Sequence, residues 1–77
     1  MTILEVISDE LAAPVEPEAV IDQLAIDSLE YIELILRLEK VFSIKIEEED
    51  LKDVVTMKDL CHVVDLLRDK QRAYLSG

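Results

Sequence analysis

Apolar residues recur at spacings of three and four along three stretches of this chain, and each stretch opens on residues suited to starting a helix. Leu4, Ile7 and Leu11 make the first stripe, with Ile3 and Val6 widening it, and Thr2 and Glu5 stand in the spacing of a capping box. The pattern predicts a helix over about 3–12. Pro14 and Pro17 end it, because each lacks an N–H and restricts the residue before it. The segment from Pro17 to Leu24 reads as a loop with one short helical turn, pegged to the core by Val20, Ile21 and Leu24.

The second stretch, LAIDSLEYIELILRLEKVF from Leu24 to Phe42, is the most apolar. Asp27 has the chemistry of an N-cap, since its carboxylate can accept backbone N–H bonds from the first turn, and Glu30 stands three residues on. Ser28 then opens a helix over 28–42, with its hydroxyl beside the positive end of the helix dipole. Leu34, Ile35, Leu38 and Phe42 suit one face; Leu29, Ile32 and Leu36 form a second set on a neighbouring face. A surface helix in a small domain usually carries one such stripe, so the second is either more core or a docking surface.

The β-branched residues of Ser43–Ile46 are too few for a sheet without a partner, and they read as a connector that points Ile44 or Ile46 inward. Glu47, Glu48, Glu49 and Asp50 gather acids at the start of a short helix over about 48–54. Thr56 and Asp59 repeat the capping signature, and Leu60, Val63, Val64 and Leu67 follow at helical spacing, which predicts a last helix over about 57–70. Arg68, Lys70 and Arg72 would then sit where a helix dipole favours cations, with a frayed tail after about 72. Glu33–Arg37 and Glu48–Lys52 have the favourable i,i+4 orientation. The expectation is a single all-α domain over 1–77, a small four-helix bundle of three longer helices and one short one.

Composition sharpens this picture. A chain of 77 residues buries only about 60% of the surface that its unfolded form exposes, so nearly every long apolar residue is needed in the core. Tyr31, Phe42 and Tyr74 are the only aromatics and the one glycine is terminal, which favours aliphatic-cored helices over a sheet with tight hairpins. A net charge of −10 repels nucleic acid and anionic membranes and attracts basic protein partners. One cysteine makes no intramolecular disulfide and fits a reducing compartment. No apolar run is long enough to span a bilayer and no secretory pattern opens the chain, so membrane insertion is not expected and a cytoplasmic location is.

Several chemistries fit poorly. A serine nucleophile at Ser28 would need a base, an orienting group and oxyanion donors, but the only histidine, His62, lies beside Cys61 far along the chain, and no glycine-rich elbow surrounds the serine. His62 reads as an exposed or edge residue and Cys61 as a small buried hydrophobe. The run Glu47–Asp50 lacks the alternating ligands, central glycine and distal glutamate of a calcium loop, and reads as a solvated helix start. There is no His/Cys cluster for zinc and no glycine-rich phosphate loop. No metal site and no enzymatic activity are expected. Asp27 already fills the cap, which leaves the Ser28 hydroxyl without a structural task.

The D-S-L of Asp27, Ser28 and Leu29, followed by EYIELILRLEKVF and IKIEEEDLKDVVTMKDL, resembles the phosphopantetheine attachment site and following helices of the acyl carrier protein family, over about Leu24–Leu67. The resemblance implies a four-helix carrier domain that is not an enzyme. It implies that a separate phosphopantetheinyl transferase moves the 4'-phosphopantetheine of coenzyme A onto Ser28, flanked by Asp27 and Leu29, with magnesium. Acyl groups would then ride on the arm as thioesters, delivered by a monomeric carrier to loading and transferring enzymes in fatty-acid or related biosynthesis. In this light the Leu29, Ile32 and Leu36 stripe, rimmed by Glu30, Glu33 and Glu39, is a docking surface for partners with basic patches.

The chain departs from the family pattern in three places. Only 27 residues precede Ser28, Arg37 and Lys40 add positive charge to the second helix, and Glu47 stands where a proline is common. The short first part points to a dedicated carrier of an aminoacyl or specialised acyl group; a helical adaptor that is never modified is the third reading.

Overall fold

The computed structural model describes residues 2–76, with side-chain surroundings for 2–71. Three α-helices, α1 (Ile3–Leu11), α2 (Ser28–Phe42) and α3 (Met57–Ser76), are joined by segments that each contain one 3-10 turn, at Ile21–Gln23 and Glu48–Leu51. Among the described residues there is no strand, only an isolated antiparallel bridge between Val20 and Thr56. The fold is all-α, as expected. The fourth, short helix is a 3-10 turn that ends at Leu51 rather than Val54: the Lys52 N–H bonds to the Glu49 carbonyl, and no run of i→i−4 bonds forms.

Each α-helix starts as its capping residues dictate. The Glu5 N–H donates to Thr2 Oγ1 (3.1 Å) and the Thr2 N–H to Glu5 Oε1 (2.8 Å). At α3 the Asp59 N–H donates to Thr56 Oγ1 (3.2 Å), while the Thr56 and Val55 N–H groups both donate to Asp59 Oδ2 (3.0 Å each). The backbone bonds at Thr56 and Val55 hold the Asp59 carboxyl below its ordinary 3.8, and the Thr2 backbone and hydroxyl hold Glu5 below its ordinary 4.5. Helix α3 continues past the expected end at Lys70 to Ser76, so the residues after Arg72 expected to fray have helical backbone. Arg68, Lys70 and Arg72 are therefore not in the last turn, which carries no basic residue.

The core comes from one face of each helix together with the connector. Val6 and Ile7 of α1, Leu34 and Leu38 of α2, and Met57, Leu60 and Val64 of α3 are fully buried, with Ile44 and Ile46 closing the group. Both connector isoleucines point inward. On α1 the buried face centres on Ile3, Val6 and Ile7, while Leu4 and Leu11 are only partly buried, so the helix is rotated from the stripe read in the sequence. Ile21 and Leu24 do pack on the core, and the loop before them is zipped to the start of α3. Ile21 N–H reaches the Val55 carbonyl (2.9 Å), Met57 N–H the Ala19 carbonyl (2.9 Å) and Lys58 N–H the Pro17 carbonyl (2.8 Å).

Arg37 does not pair with Glu33 along α2. It reaches across to α1, where its guanidinium bonds Glu10 Oε1 (3.1 Å) and Asp9 Oδ2 (2.5 Å). Two carboxylates held by a second helix offer a fork that one flexible neighbour on the same helix cannot match. Glu48–Lys52 is likewise absent from the ion pairs of the described residues, because the 3-10 turn abolishes the i,i+4 geometry. Arg68 lies over the Phe42 ring at 4.9 Å and covers the end of α2 against α3.

Helices α1 and α2 both stop on a non-glycine residue in the left-handed region, Ala12 (φ 56°) and Ser43 (φ 53°). A Cβ there costs about 1 kcal/mol that glycine would not. Ser43→Gly is expected to raise the unfolding free energy by about 0.5–1 kcal/mol, read from urea melts. Leu38→Ala should lower it by about 2–5 kcal/mol, and Leu36→Ala should stay within about 0.5 kcal/mol. The lowered carboxyls at Glu5 and Asp59 contribute stability that is complete above their ordinary values and lost as pH falls through the lower folded ones. The double variant Glu5→Gln, Asp59→Asn should therefore lose stability less steeply than wild type over that acid range.

Candidate functional site

The site is built from the first turn of α2. Asp27 has extended backbone (φ −83°, ψ 173°), and its Oδ1 accepts the Glu30 N–H at 2.7 Å. Its own carbonyl accepts the Tyr31 N–H (3.0 Å), so the helix begins at Ser28. Among the described residues the Ser28 and Leu29 amides find no protein partner. They point out of a helix N-terminus beside the exposed Ser28 side chain, the arrangement that favours a phosphate group. Among the described residues the hydroxyl finds no hydrogen-bond partner, and it sits at the edge of a depression of about 310 Å³ shared with Ile21, Asp22, Ile26, Tyr31 and Val54. No histidine lines it. A phosphodiester on Ser28 fits this surface, with open space for a tether to leave.

The zipped loop explains why these residues meet. Bonds from Ile21 and Met57 fix the first connection against the start of α3, which brings Ile21 and Val54 to the serine end of α2. Pairing across more than thirty positions leaves no local sequence signal. Tyr31, one turn after Ser28, is half-buried in the same depression. Burial first, and Asp22 second, push its phenol above the ordinary 10.0, so it stays neutral at physiological pH.

The second stripe of α2 faces outward. Leu29, Ile32 and Leu36 are 65%, 54% and 57% exposed, a continuous apolar face that the small core does not cover. Glu33 is exposed beside it and Glu30 is half-buried. Glu39 has a different task from the rim position the sequence suggested: its Oε2 accepts the Ile46 N–H at 2.7 Å and ties the connector to α2. Gln71 holds the same connector from α3, accepting the Lys45 N–H (3.0 Å) and donating to the Lys45 carbonyl (3.1 Å). With Glu39 turned to the connector and Lys40 exposed, the outward face carries a mixed charge pattern, while Arg37, paired with α1, adds no positive charge to it.

The remaining candidates lie elsewhere. His62 is exposed on α3, in a depression with Asp65 and Asp69, away from Ser28. Cys61 is half-buried against the core, and burial, then Asp65, push its thiol up, so it is held protonated. No helix among the described residues is long and apolar enough to cross a membrane.

Glu39→Ala should speed amide exchange at Ile46 by about tenfold, the loss of one charge-assisted bond of about 1.5 kcal/mol, whereas Glu33→Ala should leave that amide unchanged. Hydrogen exchange followed by NMR reads both.

Residues 2–64 match the family model described as the phosphopantetheine attachment site. The acyl carrier protein of Syntrophobacter fumaroxidans is 39% identical over 62 residues, covering 75% of this chain and 76% of that one. That of Syntrophus aciditrophicus is 40% identical over 70 residues, covering 86% and 84%. In three dimensions the holo acyl carrier protein of Geobacter metallireducens superposes with a TM-score of 0.79 at 20% identity, covering 92% of this chain and 86% of that one, a likeness of fold. By sequence match over most of its length and by its all-α architecture, the chain belongs to the acyl carrier protein family of phosphopantetheine-attachment domains.

Proposed function

We propose that Ser28 is the residue that receives the 4'-phosphopantetheine arm and that the chain carries acyl groups without catalysing their chemistry. The observation that carries this reading is the exposed, unbonded hydroxyl at the mouth of α2, next to a cap that Asp27 already fills. When bound, the group supplies a flexible arm ending in a thiol that holds an acyl group as a thioester. The chain's own residues do the rest: the Ser28 and Leu29 amides and the helix dipole favour the phosphate, and Asp27 fixes the turn that presents the serine. Tethering keeps cargo at high effective concentration near a docked enzyme.

The docking surface in this reading is Leu29, Ile32 and Leu36, with Glu30 and Glu33 beside it. A net charge of −10 favours partners with basic patches, namely the phosphopantetheinyl transferase and acyl- or aminoacyl-loading and transferring enzymes. The carrier acts as a monomer in the cytoplasm, in fatty-acid or related biosynthesis. The exposed Lys40 and the withdrawn Glu39 favour a dedicated partner set over the general one, because the charge pattern offered to partners is mixed.

Incubation with coenzyme A, magnesium and a broad-specificity transferase is expected to raise the intact mass by one phosphopantetheine group. Ser28→Ala should show no gain, and a gain that persists in that variant would place the attachment elsewhere. Glu33→Lys should slow association with the transferase about tenfold at low salt and less at high salt, without moving the melting temperature.

A further inference from the structure

Apolar contact alone does not fix how a partner lies along α2. Leu29, Ile32 and Leu36 recur about once per turn on the exposed face. A partner shifted by one turn, or turned end for end, still covers most of that surface. Charge has to supply the register, and few charged groups are left to do so. Glu39 is taken up by the Ile46 N–H, and Arg37 by Asp9 and Glu10. Glu33 and Lys40 are exposed, and among the described residues neither makes an ion pair.

These two charges are opposite in sign and lie on the same side of the helix. Glu33 stands four residues after Leu29 and Lys40 four after Leu36, so the pair is two turns, about 10 Å, apart along the axis. The connector repeats this polarity. Beside Ile32 and Leu36 runs a depression of about 320 Å³ that Lys45 and Glu48 also line. Lys45 adjoins Ile46, which Glu39 holds, and Gln71 fixes its peptide N–H and carbonyl, so it stands at the far end with Lys40. Glu48 lies nearer the serine end, because this segment runs back along α2 until Val54 meets Ser28. The helix dipole accounts for a lysine in the last turn of α2, but not for one on the connector beside it.

We propose that the enzymes this chain docks with carry a two-signed patch: a basic group opposite Glu33, an apolar centre, and a carboxylate opposite Lys40 and Lys45. The two lysines are then specificity-determining residues. The proposal rests on the reading of Leu29, Ile32 and Leu36 as the docking surface. Opposite charges two turns apart admit one orientation, the one that brings a partner's active site to Ser28. A slip of one turn moves both charges about 5 Å out of register. A uniformly basic patch is drawn to Glu33 but sets like charges against the lysines, which selects against it.

The experiment adds two helical peptides to the intact chain and follows its amides by NMR. Both peptides have leucines at helical spacing and an arginine at one end, where a nitroxide is attached. Two turns on, one peptide has glutamate and the other a second arginine. With the two-signed peptide the nitroxide should broaden Ser28 and Leu29 and spare Val41 and Phe42; with the all-arginine peptide it should broaden both ends. The double variant Lys40→Gln, Lys45→Gln should lose this selectivity and bind the two-signed peptide about threefold more weakly at low salt. Lys58→Gln with Lys70→Gln changes the net charge equally, from exposed positions on α3, and should keep the wild-type pattern. Broadening at both ends of wild-type α2 by the two-signed peptide, or the same response from the two double variants, overturns the proposal. If neither peptide moves the amides of Leu29, Ile32 and Leu36, the docking surface itself is overturned; attachment at Ser28 is judged separately, by intact mass.

Discussion

One short hydrogen bond sets the register of the whole molecule. When the Asp27 carboxylate accepts the Glu30 N–H at 2.7 Å, α2 begins at Ser28 and at no other residue. That starting point fixes the rotation of the helix, and the rotation decides which apolar residues go inward. Leu34 and Leu38 meet α1 and α3 in the core; Leu29, Ile32 and Leu36 are left in water. It also decides that the serine, already relieved of capping, stands outside with its hydroxyl free.

A domain this small has few ways to hold three helices around such a centrepiece. The connections do much of the work that a larger core would do. Gln71 and Glu39 grip the segment after α2 from two sides, and the loop before α2 is zipped by backbone bonds to the start of α3. Arg37 ties the short α1 to α2 through two carboxylates. These polar ties lie at the periphery, and among the described residues no buried polar side chain interrupts the core. The chain thus leaves one helix face and one helix mouth uncommitted, as the proposed carrier role requires.

The legible part of this design was local. Thr2 with Glu5, Asp27 with Glu30, and Thr56 with Asp59 announced where helices begin, because capping depends on residues three apart. The two stripes of α2 were visible as periodicity, though which one faced water was open until the family resemblance was added. The missed features depend on packing between distant segments. The rotation of α1 follows from its contact with α2. Arg37 turned away from its neighbour Glu33 because a better pair of acceptors lay on another helix. Glu39 looked like a surface acid, and only the fold brings the Ile46 amide to it. Tyr31 stood out in the sequence only as one of three aromatics; its half-buried place beside Ser28 depends on where the returning segment lies.

The account stands on the free hydroxyl at the mouth of α2 being used in the cell. No basic residue lies between Met1 and Arg37, so trypsin keeps Ser28 in one peptide with Thr2, Ser8 and Tyr31. Fragment-ion mapping of that peptide, from protein purified from its own host, tests the claim directly. The account predicts a phosphopantetheine group localised to Ser28, carrying an acyl thioester in part of the population. A peptide that is unmodified throughout, or modified at Ser8 or Thr2 instead, would contradict it.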